Sequence, residues 1–146
     1  MILNIDYDYR DKIQTIGMET KMQKKKIFVV QFHRASRDHY DFRLQIGRVL
    51  KSWAVPKEPP LVEGVKRLAI LVDDHELSYA TFEGSIDGGY GKGSVKVWDH
   101  GTYEMESEHD NKFVFVLHGK KLTGRYTLLK FEKVKNGWLL FKTEKE

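Results

Sequence analysis

The chain has 146 residues, 40% of them hydrophobic and 32% charged, enough apolar material for one core and too little length for two. It contains no Cys, which excludes disulfides, thiolate nucleophiles and Cys-ligated metals, and suits a reducing compartment. Lys and Arg exceed the acids by 25 to 21, so a polyanionic partner is permitted but not demanded. No apolar run approaches the roughly 20 residues that span a bilayer. The first residues, Met1 to Asp8, lack the basic and apolar regions of a secretory leader. The expectation is a cytoplasmic, membrane-free chain, monomeric by default.

Residues 1–26 show weak periodicity, end in Lys24-Lys25-Lys26 and read as an N-terminal arm preceding a domain over 27–146. From Ile27 to His33 the chain is β-branched and aromatic, as strands prefer. After polar Arg34 to Asp38, residues His39 to Ile46 alternate strictly. Tyr40, Phe42, Leu44 and Ile46 lie on one face, and His39, Asp41, Arg43 and Gln45 on the other. Gly47-Arg48 fits a tight hairpin returning as Val49 to Val55, which Pro56, Pro59 and Pro60 stop.

Further strands are predicted at Arg67 to Val72, Ser94 to Trp98, Thr102 to Glu106, Phe113 to Leu117, Tyr126 to Val134 and Trp138 to Thr143. Asn136-Gly137 is the turn between the last two. No segment keeps a helical period over three turns and no repeat is present. The predicted fold is therefore mainly β, a small barrel or sandwich with few short helices.

His39, Asp41 and Arg43 project from one side of one strand, with neighbours about 6.6 Å apart. Imidazole and carboxylate at that spacing can converge on one cation at about 2.0–2.2 Å per ligand. His33 ends the preceding strand, where a short connection could return it beside His39. Two imidazoles and a carboxylate suit Mn, Zn or Fe(II) better than Ca or Mg. Two plainer readings stay open at this point: a wet barrel face, and Arg43 as an ion-pair partner of Asp41.

His75 stands among Asp73, Asp74 and Glu76, a setting that favours imidazolium and would suit it to donate a proton or hold a phosphate oxygen. A surface His in an acidic turn is the alternative. Tyr79 could present its hydroxyl nearby. Gly88 to Ser94 is a glycine-rich turn rather than a phosphate loop, because Lys92 is followed by Gly93 and a strand rather than by Ser or Thr and a helix. His100, His109 and His118 are unmatched and read as surface or structural residues.

Several segments together resemble the 3′-phosphoesterase module of DNA ligase D. They are Phe28 to Leu44, Val49 to Lys57, Asp74 to Tyr79, Phe82 to Ile86, Gly89 to Glu104, His118 to Tyr126, and Trp138 to Lys142. The resemblance implies a compact β-barrel with a manganese-dependent site on its concave side, Zn²⁺ or Co²⁺ being possible substitutes. It implies action in bacterial end joining on the 3′ end of DNA, or of RNA-tipped DNA, in a primer–template. A 3′-terminal ribonucleoside is removed, then the 3′-phosphate, to give a 3′-hydroxyl.

Carried over by position, His33, His39 and Asp41 match metal ligands, and Arg43, His75 and Tyr79 match groups around the scissile phosphate. Asp73 matches an acidic residue two before the catalytic His, where the family usually has Glu. Lys57 and Arg67 match further basic site residues, and Arg10 and Asp11 a pair on the arm. Glu76 stands where Pro is common, and Gly17 where the arm usually has Glu, with Glu19 two residues later. No ligase or polymerase signature is present, so sealing and synthesis are expected of separate proteins. Two rival functions are a catalytically silent nucleic-acid-binding barrel and an Fe(II) facial-triad oxygenase.

Overall fold

A computed structural model describes residues 26–87 and 93–143. The expectations for the arm, Arg10 and Asp11 included, and for Gly88 to Lys92 fall outside the described residues. The elements are β1 (Lys26–Arg34), β2 (His39–Ile46), β3 (Val49–Val55), β4 (Lys66–Glu76), a 3₁₀ turn η1 (Leu77–Thr81), β5 (Gly84–Ile86), β6 (Gly93–His109), β7 (Lys112–His118), β8 (Thr123–Lys130) and β9 (Gly137–Lys142). The strands run antiparallel in the order β1-β2-β3-β4-β9-β8-β7-β6, and pairing of β1 with β6 closes an eight-stranded barrel. β5 adds to the free side of the start of β6. Closure leaves no exposed edge around the wall.

The inward residues fill the barrel. Phe42 packs against Phe28, Trp53 and Phe115, with ring centroids 5.9–6.4 Å apart. Trp53 meets Trp138 edge-on at 5.9 Å. Full burial of each such side chain contributes about 1.5–3 kcal/mol. Because Phe42 and Leu44 point inward, Asp41 and Arg43 must leave the other side of the same wall. The candidate site therefore lies on the outer face of the barrel wall.

The barrel, the first two hairpins and the Asn136-Gly137 turn agree with the sequence reading, Asn136 taking a positive φ of 57°. Four features differ. The strands expected at 94–98 and 102–106 are one continuous β6, in which a bulge at Trp98 bends the chain without ending the ladder. Gly101 lies inside it because a Cβ there would overlap the carbonyl of His118. β8 begins at Thr123 and stops at Lys130 rather than Val134, and β5 was not anticipated. β4 continues through His75, so that residue sits on a strand and not in a turn. Among the described residues no helix is long and apolar enough to cross a membrane.

Candidate metal and phosphate site

The β1–β2 ladder pairs His33 with His39 and Gln31 with Asp41, and β3 brings Ser52 opposite Arg43. These residues share the outer face. β4 adds His75 beyond β3, and η1 folds over the same surface carrying Tyr79. Each side chain but Tyr79 leaves a hydrogen-bonded strand, so its position is set by sheet register rather than by a loop.

His33, His39 and Asp41 each offer a ligating atom, and those atoms all lie within 4.8 Å of one another. His39 Nε2 is 3.2 Å from Asp41 Oδ1, and His33 Nδ1 is 3.7 Å from Oδ2. Asp41 and His33 are buried, while His39 is half-buried. The hydrogen bond to Asp41 raises the His39 pKa above its ordinary value, against the opposing effect of burial. Two nitrogens and one carboxylate oxygen converging from adjacent strands fit a divalent transition ion, with room left for non-protein ligands.

Beside this triad Arg43 is only 3% exposed. Its Nε donates to Gln31 Oε1 at 2.6 Å and its Nη1 to Ser52 Oγ at 2.8 Å. Nη1 also lies 3.1 Å from His75 Nδ1, and Nη2 3.4 Å from Asp41 Oδ2. Its carbon Cζ sits 5.0 Å from the centroid of Tyr79, whose ring in turn stacks on Phe82 at 4.9 Å. Of the five donors of a guanidinium, those on Nε and Nη1 are committed to the protein. A grip on phosphate is thus left to Nη2 alone, beside Asp41, rather than to a two-nitrogen fork.

Gln31 is fully buried and holds this arrangement from behind. Its Nε2 donates to the carbonyls of Tyr79 and Phe82 at 2.8 and 3.1 Å while its Oε1 accepts from Arg43. One amide therefore fixes both the guanidinium and the turn that carries Tyr79. Ser52 completes the cradle, its hydroxyl donating to Leu50 O at 3.0 Å and accepting from Arg43. Sequence reasoning missed both residues. The available signal was Gln31 itself, a polar residue between Val29 and His33 on the outward alternation of an otherwise apolar strand.

His75 departs from expectation. Burial and then the charge of Arg43 push its pKa below 6.5, and the carboxylates of Asp41 and Asp73 oppose this only weakly. Asp74 and Glu76 neighbour it on a strand and so project to the opposite side. The exposed Asp73 meets His75 through its backbone carbonyl, 3.3 Å from Nδ1. The imidazole is hence neutral at pH 7, not an imidazolium sustained by acids. Nδ1 faces a donor, Nη1 of Arg43 at 3.1 Å, and an acceptor, the Asp73 carbonyl at 3.3 Å; the shorter, charge-assisted contact favours Nδ1 as the acceptor, with the ring proton on Nε2. Burial raises the Tyr79 pKa, so its hydroxyl keeps its proton.

Lys57 and Arg67 stand apart from this cluster. With Pro56, Lys66 and Leu68 they line a shallow cavity of about 270 Å³, and Arg67 Nε donates to the Glu58 carbonyl at 2.7 Å. Val55, two residues before Lys57, pairs with Tyr40, which places the cavity at the same barrel end as His39. His100, His109 and His118 are exposed, and His118 pairs with Glu104 at 2.8 Å, as surface residues do.

A family model for the DNA ligase D 3′-phosphoesterase domain matches residues 31–130, a stretch containing every clustered side chain described above. The multifunctional non-homologous end joining DNA repair protein LigD of Mycobacterium tuberculosis is 51% identical over 108 residues, 70% of this chain and 14% of that protein. The corresponding protein of Pseudomonas aeruginosa is 42% identical over 147 residues, 94% of this chain and 18% of the relative. That of Mycolicibacterium smegmatis is 44% identical over 124 residues, covering 77% and 16%. The chain thus spans less than a fifth of the length of these relatives. With the family match taking in most of the barrel wall and the whole of its outer cluster, the chain belongs to the DNA ligase D 3′-phosphoesterase domain family.

Proposed function

We propose that this chain is a divalent-metal-dependent phosphoesterase that heals DNA 3′ ends, removing a terminal ribonucleoside and then the 3′-phosphate to leave a hydroxyl. The observation that carries the reading is the convergence of three ligating atoms within 4.8 Å beside a buried, pre-oriented arginine. His33, His39 and Asp41 would hold the ion, Mn²⁺ by preference, with Zn²⁺ or Co²⁺ able to fit the same donors. Lewis acidity toward a phosphate oxygen is the chemistry such an ion supplies there.

The chain's own residues supply the rest. A phosphodiester is anionic, and catalysis is chiefly neutralisation of charge growing on its oxygens. Arg43 offers Nη2 to one of them, its other donors having fixed its plane in advance. His75 offers Nε2–H as a hydrogen bond to a phosphate or leaving oxygen, stabilising charge there without giving up the proton, since a neutral ring that lost it would be an imidazolate. Tyr79 adds a protonated hydroxyl that orients the phosphate. Lys57 and Arg67, at the same barrel end, would guide the strand. Asp73 is retained as a minor influence on His75, and Arg10 and Asp11 as contributors from the arm. The names of the relatives support a place in non-homologous end joining; a separate ligase and polymerase would act on the healed end.

The test is a DNA primer carrying a 3′-phosphate, incubated with chelated protein and then with added Mn²⁺. Phosphate release only after metal addition supports the reading. Metal-loaded protein that binds the primer and releases nothing would leave the silent nucleic-acid-binding barrel. Substrate-dependent oxygen uptake with Fe(II) would instead favour the oxygenase.

A further inference from the structure

At the barrel end beside the triad, three rings are left unused by this chemistry. Phe32 and Tyr40 pair across β1 and β2 on the rung next to His33 and His39, and they face the other side of the wall. Their centroids are 4.9 Å apart, and Tyr40 meets Trp98 edge-on at 5.5 Å. Trp98 is the extra residue of the β6 bulge: Val30 pairs with Asp99 and Gln31 with Val97, which skips it. Bulges re-aim a side chain in this way. All three rings are half-buried.

Cations flank the strip. Lys121 Nζ lies 4.6 Å over Trp98, Arg34 Cζ 5.8 Å over Phe32, and exposed Lys96 is in register with Phe32. The turn bearing Lys121 is held from below. Buried Asp99 accepts the backbone N–H groups of Lys120, Lys121 and Leu122 at 2.9, 3.1 and 2.8 Å. A Cβ at Gly119 would overlap that carboxylate, so the turn and the acid are built to each other. The cations thus hold the two flanks of the ring strip. Rings plugging a barrel end need neither flanking cations nor a carboxylate fixing the turn that carries one.

We infer that this rim is a stacking platform for a single-stranded segment adjoining the 3′ terminus. Bases lie against Trp98 and Phe32, and Arg34, Lys96 and Lys121 meet the phosphates. The inference rests on the 3′-end reading above and adds where the neighbouring nucleotides go.

The chain carries its own reporter. Of its three tryptophans, Trp53 and Trp138 are 0% and 4% exposed, so solute-dependent emission reports on Trp98. The chelated full chain is titrated with oligothymidylate, with an abasic oligomer of equal length, and with inorganic polyphosphate. Oligothymidylate is expected to quench the emission, and the two base-free polyanions to bind more weakly and leave it unchanged. Trp98→Leu is expected to weaken oligothymidylate binding about tenfold. Lys121→Gln and Arg34→Gln, should Trp98→Leu fold poorly, each reduce the salt slope of log K by about 1. Equal quenching by polyphosphate, or slopes and affinities unchanged in these variants, overturns the platform. With Mn²⁺ restored, phosphate release from a 3′-phosphorylated primer–template is measured alongside. Its absence in the wild type sinks the 3′-end reading, whereas its presence with no quenching sinks only the platform.

Discussion

Replacing Arg43 by Lys keeps the charge and removes the fork, so it separates electrostatics from geometry at the centre of the site. Three partners lose a donor: Gln31 Oε1, Ser52 Oγ and His75 Nδ1. A buried acceptor left unpaired costs about 1–3 kcal/mol. An ammonium on a shorter, flexible stem can regain one of the three, and Ser52 still donates to Leu50. The net loss is about 2–4 kcal/mol, which for a domain of this size lowers the melting midpoint by roughly 5–15 °C. The positive charge beside Asp41 survives, so Mn²⁺ affinity should move by less than about threefold, a change worth less than 1 kcal/mol. Turnover should fall about 100-fold, because the charge is no longer held where the phosphate oxygen becomes most negative. The assays are thermal melting of chelated protein, Mn²⁺ titration, and phosphate release from a 3′-phosphorylated primer at saturating metal. Turnover within about threefold of wild type, with the midpoint within about 2 °C, would refute the reasoning and reduce Arg43 to a point charge.

Alanine at His39 or Asp41 should abolish phosphate release at any practical Mn²⁺ concentration, and chelated wild type should recover on adding metal; full activity in the stripped protein rejects the assigned triad. In the chelated protein the His75 imidazole should titrate with a midpoint below 6.5, read by NMR. With the folded pKa depressed, the unfolded chain binds more protons just below pH 6.5. This group's stabilisation is thus complete above 6.5 and is lost as pH falls through the folded pKa. A midpoint above 6.5 would restore the cationic His75 that its acidic neighbours suggest. Gln31→Met, similar in size and apolar, frees Arg43 and η1 together. It should lower kcat about tenfold or more with metal affinity intact, and the effects of Gln31→Met and Tyr79→Phe should be non-additive; simple additivity on kcat argues that the tether does not position Tyr79.

What could be read from the sequence was what neighbours along one strand decide. Strict alternation over His39 to Ile46 put Asp41 and Arg43 opposite the apolar face, and the observed register does so too. The Asn136-Gly137 turn was legible because the positive φ at its first residue is one that Asn tolerates. Contacts between distant segments were not legible. Closure of β1 on β6, the bulge that keeps β6 continuous, and the reach of Gln31 to η1 all depend on pairings far apart in the chain. His75 illustrates the limit. Its sequence neighbours are acids, yet extending β4 by a few residues turns two of them away and leaves Arg43, from β2, as the nearest strong charge. Locality suggested the wrong sign.

The same long-range packing places an arginine beside the carboxylate proposed to hold a cation. Asp41 faces His33, His39 and Arg43 at once, so its single negative charge is already shared before any ion arrives. On the proposed reading, a divalent ion among these groups leaves an excess of positive charge against a wall whose other side is filled by Phe42, Leu44 and Trp53. Low polarity behind the site makes that excess costly, and an anionic phosphate oxygen beside Nη2 of Arg43 would relieve it. Metal and phosphate ester then each improve the site for the other, as any reciprocal coupling requires. Neutral His75 fits the same balance, since a third positive charge held there before substrate arrives would oppose the ion. The residues that withhold charge, Gln31, Ser52 and the uncharged imidazole, thus matter to the chemistry as much as the residues that carry it.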